Sequence, residues 1–354
     1  MPGRRQFAAL PRMMLERGGA LPRSQLAYET WGRLSPERDN AVLVLHALSG
    51  DSHVAGGVEP GHPTSGWWQG VIGPGRGIDT DRWFVVCPNV LGGCQGSTGP
   101  SSLAPDGRPW GSRWPAITIR DQVAAEIPLA DALGVRAWAA VVGGSMGGMR
   151  ALEWALCQPH RVHRALIFAV GAEASADQIA TCRVQIDAIR ADPNWHSGDY
   201  YDAPTGPATG MAIARRIAHL TYRCAAEVDT RFGRAAAAGG DPLSEGFAIE
   251  SWLDHAATSL QDRFDAGSYV TLTAAMNSHE IGRGRGGTAT ALRRMRARPT
   301  IIGVDSDRLY PLHQQAELAD LLGVELQVIH SQRGHDGFLV ETPQINAVLA
   351  SALA

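Results

Sequence analysis

The sequence contains no lysine: all 32 basic residues of the 354-residue chain are arginine. This absence excludes a P-loop nucleotide site, which needs a lysine at the phosphates. It also excludes a pyridoxal phosphate enzyme, which needs a lysine for its Schiff base. The net charge of −3 gives no basic field for nucleic acid or for an anionic membrane surface. We therefore expect neither nucleic acid nor a membrane among the partners.

Cysteine and long apolar runs are also scarce. The five cysteines form no C-x-x-C pair, which predicts buried free thiols in a reducing cytoplasm. No stretch approaches the ~18 apolar residues of a membrane span, and the first residues lack the apolar run of a signal peptide. No H-E-x-x-H or paired-cysteine spacing supports a metal site, so none is expected. Four possible ligands are interpreted instead as solvated loop side chains: Asp51, His53, Glu59 and His62.

The stretch 139–155 reads as a short apolar strand, a tight glycine-rich turn and a helix. Within it, Gly143-Gly-Ser145-Met-Gly147 fits G-x-S-x-G, the pattern of a nucleophile elbow, in which a sharp strand-to-helix turn exposes one serine. The glycines are needed because side chains beside the serine would collide with the strand or the helix. The pattern predicts that Ser145 is a nucleophile.

Apolar runs alternate with helical spacings along much of the chain. We predict strands over 25–31 (an edge strand), 41–46, 83–87, 139–144, 165–170, 299–304 and 324–329. We predict helices over 120–133, directly after Ser145, over 312–322 and from about 343. Such alternation is typical of an α/β fold with a mostly parallel sheet. Between 173 and 294 helical patterns replace the strands. We therefore predict a discontinuous core of residues 1–172 and 295–354, with a helical lid of residues 173–294 inserted into it.

An elbow serine needs a base and an acid that orients the base, and in α/β-hydrolases these follow in the order serine, acid, histidine. The predicted strand 299–304 leads into Asp305 and Asp307, and the strand 324–329 leads into His330 and His335. Asp307 fits a loop-end acid better than Asp305. His335 is flanked by glycine and lies in a tight loop, whereas His330 is expected to lie on the strand. The predicted triad is Ser145, Asp307 and His335.

The negative oxygen of a tetrahedral intermediate needs two N–H donors. One is expected to be the Met146 N–H at the helix N-terminus. The other is expected to come from the loop after strand 41–46, where Leu48 is the preferred residue. A second glycine motif, Gly282-Arg-Gly284-Arg-Gly-Gly287, formally matches G-x-G-x-x-G, but no strand precedes it, which predicts a loop rather than a dinucleotide site.

With these motifs in place, the chain resembles the homoserine O-acetyltransferase family of the α/β-hydrolase superfamily from about Leu26 to Val340. The resemblance rests on many separate blocks: Leu45-His-Ala-Leu-Ser-Gly-Asp-Ser-His53, Gly66-Trp-Trp68, Gly70-Val-Ile-Gly-Pro-Gly75, Ile78-Asp-Thr-Asp-Arg-Trp83, Asn89-Val-Leu-Gly-Gly-Cys94, Gly96-Ser-Thr-Gly-Pro100, Gly143-Gly-Ser-Met-Gly-Gly-Met149, Ala151-Leu-Glu-Trp-Ala155, Ser306-Asp-Arg-Leu-Tyr-Pro311 and Gly334-His-Asp336.

The resemblance implies roles for three further residues. Arg215 and Tyr222 would bind the acceptor, and Asp336 would meet its amine. A guanidinium suits an α-carboxylate and a carboxylate suits an α-ammonium. On the residue pattern alone, a solvated helix face is the less favoured alternative for Arg215. The family also implies a homodimer built through lid helices.

The function that follows is acetyl transfer from acetyl-CoA to L-homoserine through an acetyl-serine, in methionine biosynthesis, with acetyl-CoA as a co-substrate and no cofactor. Other members of the same family could use serine as acceptor or succinyl-CoA as donor. An esterase with the same triad would pass the acyl group to water. The alternative that is not an enzyme is a non-catalytic binding protein of the same fold.

Overall fold

The computed structural model describes residues 3–354. Its strands are β1 (Gln6–Leu10), β2 (Met13–Met14), β3 (Ala20–Leu21), β4 (Ser24–Trp31), β5 (Ala41–Leu45), β6 (Phe84–Pro88), β7 (Ala140–Gly144), β8 (Arg164–Phe168), β9 (Arg298–Val304) and β10 (Leu326–Ile329). Its helices are α1 (Ile119–Ala132), α2 (Met146–Cys157), α3 (Ala176–Arg190), α4 (Ala208–Tyr222), α5 (Ala225–Phe232), α6 (Pro242–Glu245), α7 (Ala248–Gln261), α8 (Ala266–Asn277), α9 (Thr288–Leu292), α10 (Leu312–Leu322), α11 (Gly337–Val340) and α12 (Thr342–Leu353).

Eight of the strands form one sheet in the order β1-β4-β6-β5-β7-β8-β9-β10. From β6 to β10 every neighbouring pair is parallel, whereas β4, near one edge, pairs antiparallel with both β6 and β1. The remaining pair, β2 and β3, forms a small separate hairpin. The α/β fold class expected from the alternating pattern is confirmed.

The apolar run of β5 shows why the strands are continuously hydrophobic. Leu43 and Leu45 pack on one face of the sheet in a cluster that includes residues of α1 and α2. Val42 and Val44 pack on the other face in a cluster that includes residues of α12. A parallel strand covered by helices on both faces must be apolar at every position, whichever way the side chain points.

Two details of the strands differ from the sequence prediction. The segment 25–31 is not an edge strand, because β1 pairs with the outer side of β4 and takes the edge position. A five-residue strand near the N-terminus with two exposed residues at its start gave too weak a pattern to predict. His330 does not lie on a strand, since β10 ends at Ile329.

The segment 173–294 holds the helices α3 to α9 and contributes no strand to the large sheet. Its separation as a lid domain stays a prediction. The motif 282–287 is a turn between α8 and α9, in which Arg285 forms an ion pair of 2.6 Å with Glu153 of α2. No helix within residues 3–354 combines the length and apolar character needed to cross a membrane.

Candidate active site

Ser145 occupies a strained turn between β7 and α2. Its φ of 56° and ψ of −126° lie in a region that residues with side chains rarely adopt. The flanking glycines make the turn possible: a Cβ on Gly143 would collide with the backbone of Gly147, and a Cβ on Gly147 would collide with the backbone of Leu45. The geometry is that of a nucleophile elbow.

The groups predicted for catalysis all come from loops that follow parallel strands. Leu48 follows β5, Ser145 follows β7, Asp307 follows β9 and His335 lies beyond β10. Because parallel strands end at the same edge of a sheet, these loops converge there. Leu48, Ser145 and His335 line one cavity of about 310 Å³.

Asp307 and His335 form a buried pair. The Asp307 Oδ2 atom lies 2.6 Å from His335 Nδ1, and Oδ1 accepts the backbone N–H groups of Leu309 and Tyr310 at 2.8 and 2.9 Å. With both oxygens engaged, the carboxylate has a fixed orientation. It accepts a hydrogen bond from Nδ1–H, which leaves Nε2 with its lone pair, as a general base requires.

His335 Nε2 is buried and makes no hydrogen bond to any atom of residues 3–354, Ser145 Oγ included. Ser145 and His335 line the same cavity but are not hydrogen-bonded to each other. The imidazole is held by the rings of Tyr310 and Phe338, each with its centroid 5.2 Å away. Hydrogen bonds between a nucleophile and its base are often long or absent before substrate binds, and a serine hydroxyl reorients by rotating about χ1.

The other acid and the other histidine considered for the triad pair with each other. His330 Nδ1 lies 2.9 Å from Asp305 Oδ2, with 78 % of the His330 side chain and 39 % of the Asp305 side chain exposed. Neither residue lines the cavity. The tertiary structure thus sorts four candidates into a buried pair beside Ser145 and a solvent-exposed pair away from it.

Two backbone N–H groups are candidates for binding an anionic oxygen: that of Met146, which follows Ser145 in the chain, and that of Leu48, which lines the same cavity as Ser145. Met146 is the first residue of α2, so its N–H has no acceptor within the helix. Leu48 is buried, and within residues 3–354 its N–H donates no backbone hydrogen bond. These are the groups predicted to form the oxyanion hole, a role that stays a prediction.

A fully buried network that the sequence analysis missed supports the loop carrying Leu48. The Arg150 guanidinium donates to the His46 carbonyl at 2.6 Å and to Glu126 at 2.7 Å, and the Trp154 indole donates to the same carboxylate at 2.6 Å. His46 Nε2 accepts the Val90 N–H at 3.0 Å. Burial holds the pKa of His46 well below its ordinary value, so the ring stays neutral. The sequence signal that could have indicated this network is the spacing of Arg150 and Trp154, which lie one helical turn apart.

The three residues attributed to acceptor binding also line the cavity: Arg215, Tyr222 and Asp336. The Arg215 guanidinium lies 5.8 Å from the centre of the Tyr222 ring. Its Nε and Nη1 atoms are buried and have no hydrogen-bond partner within residues 3–354. A buried guanidinium with unused donors is costly unless an anion binds to it, so the cavity is suited to a carboxylate ligand.

Asp336 already has one partner, which the sequence analysis did not foresee. Arg223, at the end of α4, donates to Asp336 Oδ2 at 3.3 Å and also binds Glu227. Burial raises the pKa of Asp336 above its ordinary value, against the opposing effects of His335 and Arg223. The Oδ1 atom is left for a ligand cation.

The interpretation of His53 and His62 as solvated side chains was wrong. Both are buried and stacked, with ring centres 3.8 Å apart, because they close around the buried Glu29 of β4. Glu29 Oε2 lies 3.0 Å from His53 Nδ1 and 3.6 Å from His62 Nε2. His53 Nε2 lies 3.2 Å from the Gly57 carbonyl, so both ring nitrogens face acceptor oxygens.

The stacking also bears on metal binding at this cluster. An imidazole nitrogen points its lone pair within the ring plane, and zinc binds at about 2.0–2.1 Å along it. The two ring planes differ by only 11°, so an ion between them would lie out of both planes. The arrangement fits an ion pair that fastens the loop to β4 better than a metal site.

Comparisons with known proteins add to this geometry. A sequence model of the alpha/beta hydrolase fold matches residues 40–342. The homoserine O-acetyltransferase of Thermobifida fusca (strain YX) is 62 % identical, with 100 % of this chain and 94 % of that protein aligned.

Two solved structures are similar over 99 % of the chain. The homoserine O-acetyltransferase from Bacillus anthracis has a TM-score of 0.91, 27 % identity and 97 % of its own chain covered. Esterase E22 has a TM-score of 0.90, 25 % identity and 100 % of its own chain covered. Structural similarity alone therefore does not separate transferase from esterase. The high identity along the whole chain does, and the protein belongs to the homoserine O-acetyltransferase family of the α/β-hydrolase fold.

Proposed function

We propose that this protein is a homoserine O-acetyltransferase, which moves an acetyl group from acetyl-CoA to the hydroxyl of L-homoserine through an acetyl-serine at Ser145. The observation that carries the proposal is one cavity that holds the elbow serine, the His335 base with its Asp307 partner, and a guanidinium and a carboxylate suited to an amino acid. The 62 % identity to a transferase of that name supports the choice of substrates.

In the first half of the reaction Ser145 Oγ attacks the thioester carbonyl carbon. His335 Nε2 takes the hydroxyl proton as the C–O bond forms, and the carbonyl oxygen becomes an anion facing the N–H groups of Met146 and Leu48. The C–S bond then breaks, and the proton passes from His335 to the sulfur. Free CoA leaves and an acetyl ester remains on Ser145.

In the second half the homoserine hydroxyl attacks the acetyl ester. His335 removes the hydroxyl proton and returns it to Ser145 Oγ when the ester bond to the enzyme breaks. The products are O-acetyl-L-homoserine and the free serine. Because each half passes through an anionic tetrahedral intermediate, the same two N–H groups serve both.

Arg215 and Asp336 give the acceptor its orientation in this proposal. The unused donors of Arg215 bind the α-carboxylate, and Asp336 Oδ1 binds the α-ammonium. A zwitterion held through both α-groups can direct its side-chain hydroxyl to His335, the residue next to Asp336. Tyr222 forms the wall of the cavity beneath the Arg215 guanidinium.

Mass spectrometry of the protein after brief exposure to acetyl-CoA tests the proposal. We expect an acetyl adduct on Ser145 that disappears when homoserine is added, with O-acetyl-homoserine formed in equal amount. Ser145→Ala should carry no adduct. Turnover without any adduct on wild-type enzyme would rule out the acyl-enzyme route.

Product analysis separates the alternatives. An esterase, the activity for which the similar esterase E22 is named, would release free acetate even with homoserine present. A serine acceptor or a succinyl donor would show as faster turnover in parallel assays with each substrate pair. The acetyl-transferring relatives favour acetyl-CoA and homoserine.

Assembly and setting complete the proposal. We infer a homodimer formed through the lid, where several large apolar side chains are exposed: Ile179, Val184, Ile213, Leu220 and Leu243. Light scattering that gives a monomer would contradict it. The five free cysteines are consistent with a reducing cytoplasm, and the product would enter methionine biosynthesis. Acetyl-CoA is a co-substrate, and no cofactor is required.

A further inference from the structure

Arg263 is a cavity residue with no part in the triad or in the proposed acceptor site. It lies in the turn between α7 and α8, and its half-buried side chain lines the same cavity as Ser145 and Leu48. The arginine and acidic side chains that line this cavity are Arg215, Arg263 and Asp336. The role of Arg263 follows from what its guanidinium touches and from how these charges balance.

The guanidinium contacts the loop that follows β5. Arg263 Nη1 donates to the Ser49 carbonyl at 2.8 Å, and Ser49 follows Leu48, whose N–H is a proposed oxyanion donor. The Arg263 backbone is itself held, since its carbonyl accepts the Gln95 side-chain amide and, two residues on, the backbone N–H at 265 donates to Cys94 Sγ at 3.3 Å. One rigid turn thus supports the Leu48 loop from the lid side.

The positive charge of Arg263 has no counter-ion. Within residues 3–354 it forms no ion pair, unlike Arg223, which binds two carboxylates. Burial lowers the pKa of Arg263; the nearby Asp51, which does not line the cavity, raises it in part, and Arg215 lowers it again. A desolvated cation without a partner costs stability unless the reaction supplies an anion.

The charge count shows which anion fits. A zwitterionic amino acid adds one carboxylate for Arg215 and one ammonium for Asp336, so the filled acceptor site remains balanced. The Arg263 charge is then left over in the ground state. At the reacting carbonyl group, a negative charge appears only in the tetrahedral intermediate, on the oxygen that would face the Leu48 N–H.

We propose that Arg263 is a positioning residue for the oxyanion hole: it fixes the Leu48 loop through the Ser49 carbonyl, and its unpaired charge stabilises the anionic tetrahedral intermediates of both half-reactions. This inference rests on the acyl-enzyme route proposed above. An interaction that strengthens only in the transition state raises kcat and leaves substrate affinity unchanged.

Stopped-flow acylation by p-nitrophenyl acetate tests the proposal, because it measures the first half-reaction without CoA or homoserine. We expect Arg263→Gln to slow the acylation burst about 10- to 100-fold, somewhat less than removal of a direct oxyanion donor. Arg263→Lys, which keeps the charge, should retain more of the rate. Arg216→Gln is the matched control: Arg216 is on α4, pairs with the exposed Asp254 and does not line the cavity, so its burst should be unchanged.

Methylboronic acid provides a readout that a purely structural role would not change. It forms an anionic tetrahedral adduct on a serine and so resembles the intermediate. Its affinity for Arg263→Gln should fall by about the same factor as the acylation rate, in protein whose circular dichroism and thermal unfolding match those of the wild type.

Three results would overturn the proposal. Unchanged acylation with a raised KM for homoserine would make Arg263 part of the acceptor site. Slower acylation with unchanged boronate affinity, or a parallel loss of thermal stability, would reduce Arg263 to a structural contact. If Arg263→Gln is acylated at the wild-type rate and Ser145→Ala is not acylated, the proposed role of Arg263 is rejected and the acyl-enzyme route is retained. The absence of any burst in wild type would instead count against the proposed function.

Discussion

Two regions around the proposed catalytic cavity treat buried charge in opposite ways. In the core region, here called the core wall, Arg150 holds the loop that carries Leu48 without itself lining the cavity, and it is completely buried and paired with Glu126. On the lid side Arg215 and Arg263 face the cavity, and within residues 3–354 neither forms an ion pair. Buried charges are normally paired, so the difference between the walls has a functional meaning.

We propose that the core wall is complete before substrate arrives, and that the lid wall, the part of the cavity lining that comes from residues 173–294, is completed by its ligands. The elbow and the Leu48 loop are held by interactions internal to the protein. In the proposed function, Arg215 and Arg263 keep donors or charge free for the acceptor or the intermediate. We expect substitutions on the core side to reduce kcat or stability. On the lid side we expect substitution of Arg215 to change the affinity for the acceptor and substitution of Arg263 to change the acylation rate.

The largest expected effect is on the buried acid of the core wall. Asp307→Asn should reduce kcat by about 10⁴-fold, because the amide no longer holds His335 in the tautomer that leaves Nε2 free. Steady-state kinetics of acetyl transfer measures it. Asp305→Asn is the control, since Asp305 pairs with His330 in solvent and should leave kcat near wild type. Equal effects of the two variants would contradict the assignment.

The next effect is on stability. Arg150→Met leaves Glu126 buried without its cation and should reduce the free energy of unfolding by about 3–5 kcal/mol. Urea unfolding measures it. Adding Glu126→Gln should recover part of the loss, because the uncompensated charge is then removed. Arg216→Met, which breaks a surface pair, should cost less than about 1 kcal/mol. A small loss for Arg150→Met would mean that the core wall is not held as described.

A smaller effect is expected at the lid wall. Arg215→Gln should raise the KM for homoserine about thirtyfold or more, as expected when one partner of a buried charge pair in the enzyme–acceptor complex is lost. The acylation burst with p-nitrophenyl acetate should be unchanged, because no amino acid takes part in it. A slower burst with an unchanged KM would assign Arg215 to the chemistry instead.

The smallest effect concerns pH. Because burial raises the pKa of Asp336 above 3.8, this carboxyl group becomes protonated at a higher pH than an ordinary aspartic acid. The ammonium of homoserine needs the carboxylate, so affinity should be full above that pKa and fall as the pH drops through it. The pH dependence of kcat/KM for homoserine measures this. Asp336→Asn should lower the affinity and remove the acidic decline, and a profile unchanged in this variant would exclude Asp336 as the titrating group.

Much of the core could be predicted from the sequence because its signals are local. The G-x-S-x-G turn and the apolar runs of β5 and β7 depend on neighbouring residues, and the helix over 312–322 was predicted with the bounds that the structure gives. The edge position of β1 and the burial of His53 and His62 were not predicted. Both features are contacts with β4: β1 pairs with its backbone, and His53 and His62 contact its Glu29. The sequence of β4 does not show which segments will make these contacts.

The candidate site follows the same division. The order of serine, acid and histidine pointed to Ser145, Asp307 and His335, yet two acids and two histidines stood near the right places. Their sorting into the pair at 307 and 335 and the pair at 305 and 330 required coordinates. The roles of Arg215, Tyr222 and Asp336 came from family resemblance, whereas Arg263 was unmarked by any motif that we considered.

The sequence by itself determined the parallel core, the strained serine turn and the chemistry available at each strand end, because these depend on the local rules of backbone geometry and apolar periodicity. The tertiary structure alone decided which charges are neutralised and which remain free in the cavity. Electrostatic pairing depends on distances between residues separated by up to hundreds of positions in the chain, and no local pattern records such distances.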